Sequence, residues 1–422
     1  MTPRRIAVIG SGVAGLTAAY VLQRSAEVTL YEADDRLGGH AHTHDLVDAA
    51  GRDVRVDTGF IVHNQHTYPT LLRLLRELDV ATQESEMSMS ISCGGCGLEY
   101  AGARGLSGLF PRAANAANPR YLRMLAEVTR FHRRARALLR DAGDAAAGQT
   151  LGEFLDAGRF STYFRLHFVT PLIAAVWSCA PRLAGRYPAR YLFQFLDNHG
   201  MLSVTGSPQW RTVVGGSARY VEQAAKQLGA VLTSTPVRSV RRLAGGVEVR
   251  DDADNRGAYD AAVIATHPHQ ALRMLAEPTP AERATLGAIH YSVNPTVLHT
   301  DPSVLPRAPR AHSSWNYRMP SCTSDAGAVR VSYDMNRLQR LDSATRYLVT
   351  LNDDGQVAPG RVLDRMVYEH PIFTPESVAA QAGLPRLNDG VLAYAGAYHG
   401  WGFHEDGCRS GVDAAASLGV RW

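Results

Sequence analysis

The sequence predicts an α/β fold, with α+β character overall, and three observations near its start support that prediction. Residues 6–9 are apolar without alternation, as in a strand buried on both faces of a parallel sheet. Residues 10–15 then read Gly-Ser-Gly-Val-Ala-Gly and lead into an Ala/Leu-rich run of helical length. A second apolar strand ends at Glu32, 20 residues after Gly12. A strand, a GxGxxG turn, a helix and an acid at this spacing predict a Rossmann-like dinucleotide-binding domain.

Each glycine of the turn has its own physical role in such a domain. Gly10 permits the sharp turn, Gly12 lets the backbone approach a pyrophosphate, and Gly15 lets the helix pack closely on the strand. The helix N-terminus behind Gly12 presents free N–H groups and the positive end of the helix dipole to the phosphates. Glu32 is placed to accept hydrogen bonds from a ribose. The predicted dinucleotide site comprises Gly10, Gly12, Val13, Ala14, Gly15, Glu32 and Ala33.

A second glycine pair follows the acid directly, in the string Arg36-Leu37-Gly38-Gly39-His40. A nicotinamide-binding domain has no general need for it. The string resembles the second glycine motif of the flavin-containing amine oxidase superfamily, which includes protoporphyrinogen oxidases and carotenoid desaturases. The resemblance implies FAD, bound non-covalently, because no motif indicates a cysteine or histidine that tethers a flavin. The residues that it assigns to this part of the cofactor site are Arg36, Gly38, Gly39 and His40.

Two further segments resemble the same superfamily. Thr58-Gly59-Phe60 follows Asp57, and in the superfamily the corresponding Asp-x-Gly passes close under the flavin, where a side chain would collide. An ordinary turn is the alternative that spacing by itself leaves open. In the middle third, a Gly-Gly helix precedes a strand whose valine contacts the adenine, and another strand lies behind it. The resemblance assigns these two positions to Val237 and Ala265.

The last informative stretch, residues 390–411, reads as a buried strand, a glycine-rich loop and the start of a helix. It resembles the superfamily's C-terminal flavin motif, in which the helix N-terminus faces the isoalloxazine and stabilises the anionic reduced flavin. The resemblance places Gly396, Phe403 and Gly407 at the cofactor. The sequence departs from the motif at Ala397, where an acid is usual, so no ribityl or phosphate contact is assigned to this position.

The same stretch supplies the candidates for the reacting side of the flavin. We expect Tyr398, Trp401, His404 and Glu405 to line that space because of their position in the motif. Imidazole, carboxylate and aromatic groups there could accept a proton or form a wall around a substrate. An equally supported alternative makes His404 and Glu405 a capping pair for the last helix.

The chain of 422 residues exceeds one typical domain and predicts two. The three glycine motifs must converge on one cofactor, so we expect residues 1–80, 205–277 and 387–422 to form the FAD-binding domain. Residues 81–204 and 278–386 would form a discontinuous substrate domain of mixed sheet and helices.

Composition narrows the function classes. The net charge of +4 is too small to indicate nucleic-acid binding. The five scattered cysteines do not resemble a secreted disulfide framework. Cys93-Gly94-Gly95-Cys96 has CxxC spacing, but without a second pair it is interpreted as a hairpin tip, and no metal site is expected.

No run reaches the roughly 18 apolar residues of a membrane span, and a cytoplasmic protein is expected.

One region is a candidate for peripheral contact with the inner face of a membrane. Residues 105–111 form an apolar loop, and a helix from about residue 119 carries seven arginines. A basic helix beside an apolar loop can bind an anionic bilayer. The interpretation we prefer is an arginine face in solvent over an apolar core stripe.

Three short strings, residues 333–339, 369–371 and 402–407, narrow the resemblance to predicted FAD-binding oxidoreductases associated with cyclopropane and furan fatty-acid synthesis. This implies an oxidoreductase that removes a hydride from a lipid acyl chain or a similar apolar substrate. Amine oxidases of the superfamily commonly hold a water near flavin N5 with a substrate-domain lysine, whereas the single lysine here, Lys226, belongs to the cofactor domain. Two alternatives stay open: an amine or amino-acid oxidase, and a non-catalytic FAD-binding partner of a lipid methyltransferase.

Overall fold

The computed structural model describes residues 3–141, 148–203, 207–323 and 327–422, apart from the side chain of Ala103. The strands, in chain order, are β1 (Arg4–Ile9), β2 (Ala26–Tyr31), β3 (Thr43–Val47), β4 (Asp53–Asp57), β5 (Val62–Asn64), β6 (Thr82–Glu84), β7 (Met89–Cys93), β8 (Glu99–Ala101), β9 (Trp210–Val213), β10 (Ala230–Leu232), β11 (Val237–Leu243), β12 (Gly246–Asp251), β13 (Arg256–Tyr259), β14 (Ala261–Ile264), β15 (His290–His299), β16 (Trp315–Met319), β17 (Val331–Asp334), β18 (Leu348–Leu351), β19 (Val362–Ile372) and β20 (Leu392–Tyr394).

The α-helices, in chain order, are α1 (Val13–Leu22), α2 (Pro69–Glu77), α3 (Gly105–Leu109), α4 (Ala113–Ala116), α5 (Pro119–Arg140), α6 (Leu151–Ala157), α7 (Thr162–Phe164), α8 (Thr170–Trp177), α9 (Ala189–Asn198), α10 (Ala218–Ala225), α11 (Pro268–Met274), α12 (Pro280–Gly287), α13 (Met335–Leu338), α14 (Pro375–Gln381) and α15 (His404–Ser417). A π-helical turn, Arg165–Val169, joins α7 to α8.

A five-stranded parallel sheet forms the centre of the cofactor side, in the order β10-β2-β1-β14-β20. Residues 6–9 of β1 pair with β2 on one side and β14 on the other. A central parallel strand is covered on both faces, which explains why these apolar residues run without alternation. The sheet gathers strands from each of the three segments assigned to the cofactor domain. The predicted α/β fold is confirmed.

Strand pairing bears on where the domains divide. β6 lies just past the predicted boundary at residue 80, yet it pairs with β9 in the small antiparallel sheet β5-β9-β6. The predicted boundary at residues 204 and 205 lies outside the described residues. The division into two discontinuous domains therefore stays a prediction, and the pairing of β6 favours a first boundary closer to β7.

A seven-stranded sheet forms the other side, in the order β19-β15-β18-β17-β16-β7-β8. Its pairs are antiparallel except for β16 with β7. Side chains of α5 to α9 share one hydrophobic core with this sheet, including Phe131, Phe164 and Phe193. Pro171 lies just after the π-helical turn, within a run that is helical on both sides, so its missing N–H removes one donor from that run.

The candidate membrane-contact region differs from the open loop that the sequence predicts. Residues 105–109 form α3, while Leu109 and Phe110 pack against the core. The Phe110 ring lies 5.9 Å from the ring of Tyr121 on α5. Leu106 is the most exposed large apolar side chain of this region, at 75%, and Leu122 on α5 is also exposed, at 44%. Among the helices that the structure describes, none is long and apolar enough to span a bilayer.

Candidate cofactor and active site

Gly10, Gly12 and Gly15 have the geometry that the first turn requires. Gly10 has a φ of +98°, in the region that favours glycine. A Cβ on Gly15 would lie 1.8 Å from the Gly10 carbonyl oxygen, so α1 can approach β1 only without a side chain there. A Cβ on Gly12 would meet no atom within 4 Å. The turn is therefore closely packed at Gly10 and Gly15 and open at Gly12, in front of the α1 N-terminus.

Glu32 lies at the carboxyl end of β2 and is held by the turn. Its Oε2 accepts hydrogen bonds from the N–H (2.8 Å) and the hydroxyl (2.5 Å) of Ser11, beside the exposed Ala33. The N–H of Thr235 donates to the Glu32 carbonyl at 2.8 Å. This contact places the link between β10 and β11, and so Val237, near the acid. The predicted ribose and adenine positions thus share one end of the sheet.

The second glycine motif packs directly on the first. The N–H of Gly38 donates to the Ser11 carbonyl at 3.1 Å, and Gly38 forms a parallel bridge with Gly12. A Cβ on Gly39 would lie 3.2 Å from Gly12 Cα. Arg36 donates through its guanidinium to the Gly39 carbonyl at 2.9 Å, which closes the loop. Two motifs that are separate in sequence therefore form one surface.

The C-terminal motif joins the same surface because α15 packs on α1. A Cβ on Gly407 would lie 2.7 Å from Val13 Cγ1, and one on Gly411 would lie 2.3 Å from the Ala14 carbonyl oxygen. Only glycine allows the two helices to approach this closely. Their N-termini consequently lie side by side, and the positive ends of both dipoles face the same space.

Ala265 and Gly396 follow β14 and β20 at the carboxyl end of the parallel sheet. A Cβ on Gly10 would lie 2.9 Å from the Ala265 carbonyl oxygen, which shows how closely these turns pack. The N–H of Gly396 donates to the Ser410 hydroxyl at 2.9 Å, which ties the strand end to α15. In open α/β sheets, ligands bind outside the carboxyl ends of the strands.

The segment Thr58-Gly59-Phe60 lies against the second glycine motif. A Cβ on Gly59 would lie 2.1 Å from the His40 carbonyl oxygen. Residue 59 therefore needs to be glycine because of its contact with the His40 backbone. The resemblance gave a different reason, which was closeness to the flavin. The Thr58 hydroxyl lies 2.6 Å from the hydroxyl of Tyr368, so the segment also contacts β19.

Sequence reasoning missed a cluster of rings around His40. The His40 ring lies 5.1 Å from Tyr368, 5.4 Å from His370 and 6.3 Å from His267. Burial lowers the pKa of His370 to about 4 and that of His40 well below its ordinary value, so both rings are neutral at pH 7. Nδ1 of His370 accepts the side-chain amide of Asn294 at 2.9 Å, which leaves its proton on Nε2. Polar and aromatic residues at 368–371 were the visible signal, but only the fold connects them to residue 40.

His404 is held by packing. Its ring stacks on Phe60 with centroids 3.6 Å apart and an interplanar angle of 8°. Burial, with a smaller effect of His63, lowers the His404 pKa to about 3. Its Nε2 lies 3.0 Å from the Tyr220 hydroxyl, and the two groups form a hydrogen bond. The catalytic role of His404 stays a prediction.

Glu405 caps a helix. Its carboxylate accepts hydrogen bonds from the N–H of Thr70, at 3.0 and 3.1 Å, and of Leu71, at 2.9 Å. These are free donors in the first turn of α2, where an anion also suits the helix dipole. The helix that Glu405 caps is α2, whereas the capping alternative named α15. The catalytic role of Glu405 stays a prediction.

Tyr398 and Trp401 differ in their surroundings. Tyr398 is 1% exposed and belongs to a core cluster with Ile9 and Tyr394, and its place beside a substrate stays a prediction. Trp401 is half-buried and faces the helices of the other side. Its carbonyl accepts the Trp177 indole N–H at 3.1 Å. Of the predicted catalytic set, Trp401 keeps a position suited to contact a substrate.

Unsatisfied polar atoms near the glycine motifs provide a test of the expected cofactor. His40 Nε2, His399 Nε2 and Trp401 Nε1 are buried without a hydrogen-bond partner in the described part of the chain. Buried polar atoms in folded proteins are almost always paired. These atoms, the open space at Gly12 and the two helix N-termini fit a dinucleotide with polar edges, as FAD has.

Gly12, which faces open space, and Gly15, which is closely packed, give a matched pair of substitutions that tests the cofactor site. Gly12→Ala should leave the cofactor-free fold intact but weaken FAD binding by about tenfold or more, because the new methyl group occupies the approach of the pyrophosphate. Gly15→Ala should lower the free energy of unfolding by about 1–3 kcal/mol or more, because its methyl group meets the Gly10 carbonyl. Thermal unfolding and flavin fluorescence titration measure the two effects. A Gly12→Ala protein with wild-type FAD affinity would contradict this assignment.

Buried neutral histidines predict acid lability. The folded pKa values of His404 and His370, about 3 and about 4, lie below the unfolded value near 6.5. Between these pH values the unfolded chain binds more protons than the folded chain. The stability of the folded protein that depends on neutral histidines is therefore fully present above about pH 6.5 and is lost as the pH falls. His404→Gln should reduce the slope of unfolding free energy near pH 5 by about 1.4 kcal/mol per pH unit. Urea unfolding over this pH range measures it, with a substitution of the exposed His66, His66→Gln, as the control.

Comparison with solved structures shows the fold. The structure is similar to that of cyclohexylamine oxidase from Brevibacterium oxydans, with a TM-score of 0.71 and 18% identity over 99% of this chain and 98% of that chain. A putrescine oxidase structure with bound putrescine has a TM-score of 0.68 and 18% identity, over 98% of each chain. A fatty acid isomerase from P. acnes has a TM-score of 0.68 and 16% identity, over 99% of each chain. At these identities the likeness concerns the fold and not the substrate.

Sequence comparison identifies the family. The L-amino-acid oxidase of Pseudechis australis is 51% identical over 43 residues, 10% of this chain and 8% of that protein. The coproporphyrinogen III oxidase of Mycobacterium tuberculosis is 46% identical over 50 residues, 11% of each chain. The matched part of the chain thus spans only about a tenth of the length of these relatives. A family model described as flavin containing amine oxidoreductase, by contrast, matches residues 13–418. The chain therefore belongs to the flavin containing amine oxidoreductase family, which makes FAD its cofactor and oxidoreduction its class of chemistry.

Proposed function

We propose that this protein removes a hydride from a C–H bond of an apolar substrate, most simply a lipid acyl chain. Bound FAD would supply the hydride acceptor, while the residues of the chain would bind the substrate, orient it and exclude water. The observation that carries the proposal is a wall of aromatic rings where the substrate-side helices meet the loop before α15.

The aromatic wall comprises Trp177, Tyr191, Phe195, Trp401 and Phe403. The Phe195 ring lies 4.8 Å from Trp177 and 4.6 Å from Phe403, and the Tyr191 ring lies 6.0 Å from Trp401. Trp177, Tyr191 and Phe195 belong to α8 and α9, whereas the other two belong to the C-terminal flavin motif. Rings from both sides therefore meet at the flavin motif. Such a wall suits hydrocarbon, which gains about 0.8 kcal/mol per buried CH₂.

An apolar seam between the two sides supports the same substrate class. Val62, Met87 and Met201 are partly exposed, and each packs against the hydrophobic clusters of both sides. Methionine side chains are flexible and polarisable, so they can adapt to a long chain in varied conformations. Within the aromatic wall Trp177 and Phe195 are buried, so the apolar surface that a chain could contact belongs to the partly exposed Tyr191, Trp401 and Phe403 and to the seam.

The position of the lysine also favours carbon chains over amines. Lys226 follows α10 on the cofactor side, and its side chain is exposed. The chain has no second lysine that could hold a water near the flavin in the manner of the superfamily's amine oxidases. Oxidation of an activated C–H next to an alkene does not need that lysine.

An anaerobic reduction screen tests the proposal. Flavin absorbance is followed while the purified protein is mixed with monounsaturated or methyl-branched phospholipids, cyclohexylamine, putrescine and L-amino acids. We expect a phospholipid to bleach the flavin, because the site is built of rings and thioethers. Bleaching by an amine or amino acid would support the first alternative. A flavin that no compound reduces, in a protein that co-purifies with a lipid methyltransferase, would support the non-catalytic alternative.

A variant of the wall gives a second test. Trp401→Leu should lower kcat/KM for the acyl substrate, since the chain loses part of its aromatic contact. The expected loss of transition-state stabilisation is about 1–3 kcal/mol. Trp422→Leu is the matched control, because this tryptophan stacks on Arg73 at the C-terminus, 4.3 Å from its guanidinium. Equal losses in the two variants would contradict a substrate contact at Trp401. Steady-state kinetics with the compound found in the screen measure the difference.

Delivery of an acyl chain from a bilayer would use α3 and α5. Leu106 is exposed on α3, and Arg120, Arg123, Arg133 and Arg136 are exposed on α5. An apolar anchor beside arginines can bind an anionic surface, and each arginine adds about 1 kcal/mol at low salt. This contact is the peripheral membrane interaction considered from the sequence, now centred on Leu106.

Liposome co-sedimentation tests this contact. Leu106→Asp should reduce binding to anionic vesicles, and salt should weaken the binding of the wild-type protein because charge attraction is screened. Val47→Asp is the matched control, since Val47 is also exposed, at 67%, but lies on β3. If Leu106→Asp and salt leave binding unchanged, or if the wild-type protein does not bind, the arginines form an ordinary solvated face.

A further inference from the structure

A cluster of four metal-binding side chains lies outside the glycine motifs, on the substrate side. Cys93, Cys96, His167 and Cys322 offer ligand atoms that all lie within 4.8 Å of one another. We propose that this cluster is a structural zinc site. Three cysteine sulfurs and one histidine nitrogen are a common ligand set for structural zinc.

The distances suit tetrahedral coordination. Cys93 Sγ lies 3.5 Å from Cys322 Sγ, and Cys96 Sγ lies 3.4 Å from His167 Nε2. With Zn–S near 2.3 Å and Zn–N near 2.0 Å, a tetrahedron separates two sulfurs by about 3.8 Å and sulfur from nitrogen by about 3.5 Å. A disulfide would need sulfurs about 2.05 Å apart. All these cysteines are free, so the spacing fits a shared metal and not a disulfide.

His167 is oriented as a ligand. Its Nδ1 lies 3.1 Å from the carbonyl oxygen of Tyr163. A carbonyl can only accept, so Nδ1 carries the proton and Nε2 presents its lone pair to the sulfurs. Proteins commonly fix metal-binding histidines through such a second hydrogen bond. His167 also lies in the π-helical turn Arg165–Val169, a kind of turn that is frequent at functional sites.

The glycines of the CxxC loop allow the ligands to meet. A Cβ on Gly95 would lie 2.8 Å from the backbone nitrogen of Cys322 and 3.0 Å from its Sγ. A Cβ on Gly94 would lie 2.8 Å from the Pro320 carbonyl oxygen. The β7–β8 hairpin tip therefore presses against the segment after β16 that carries Cys322. A side chain at either glycine would separate the sulfurs.

The arrangement indicates a structural and not a catalytic metal. Four protein ligands leave no open position for water or substrate. The ligands come from the β7–β8 hairpin, the segment after β16 and the π-helical turn before α8, so zinc would join the seven-stranded sheet to the helical layer. This proposal replaces the interpretation of the CxxC as a plain hairpin tip.

Metal analysis of the untagged full-length holoprotein, purified reduced and without chelator, tests the proposal. We expect about one zinc ion per chain and the loss of most of it in Cys96→Ser, since Cys96 is one of four ligands. FAD content reports whether the variant folds, and exposed Cys96 is the ligand whose replacement disturbs packing least. Cys179→Ala is the matched control, because Cys179 is a free buried cysteine outside the cluster and should keep the zinc.

Reconstitution gives a readout that does not depend on the variants. Reduced, metal-stripped wild-type protein should bind about one Co²⁺ per chain and show tetrahedral cobalt absorption at wavelengths longer than the flavin bands. Added zinc should displace the cobalt, and removal of the metal should lower Tm. The proposal is overturned if this protein binds neither metal stoichiometrically, or if Cys96→Ser retains as much zinc as the wild type.

Discussion

Backbone contact between α1 and its neighbours is the constraint on which the rest of the structure depends. Gly15 lies against the Gly10 carbonyl and Gly411 against the Ala14 carbonyl, at distances that exclude any side chain. Contacts between backbones position helices without the freedom of side-chain rotamers. They bring the N-termini of α1 and α15 together, so that both dipoles favour negative charge in one place. A shift of α1 would also displace the second glycine motif, which packs on Gly12.

Burial sets the charges around this edge of the sheet. His40, His370 and His404 are neutral because removal from water disfavours their protonated forms and lowers each pKa. Burial acts in the opposite direction on Asp57 and Asp406 and raises the pKa of each to about 6, against hydrogen bonds that favour the carboxylate. The surroundings of the cofactor edge are thus largely neutral rings and tightly bonded acids. Such surroundings exclude water and offer few competing charges.

The start of α15 ties together elements that are distant in the sequence. Glu405 ties the start of α15 to α2, and His404 ties it to Phe60 near the second glycine motif. Each contact fixes the helix N-terminus against a different element. The rings that pack against the loop before this helix come from elsewhere in the chain, since Trp177 and Phe195, on α8 and α9, both contact Phe403.

The sequence by itself determined the elements whose contacts are local or whose spacing is characteristic. The turn at residues 10–15, the acid at Glu32, the parallel sheet and the family follow from short patterns because strand, turn and helix are neighbours in the chain. Only the tertiary structure decided which side chains are engaged by distant partners. Glu405 bonds the N–H of Thr70 across 335 residues, and Cys93 meets Cys322 across 229. No local pattern encodes such contacts, because they depend on how separate elements pack and on which polar atoms that packing removes from water.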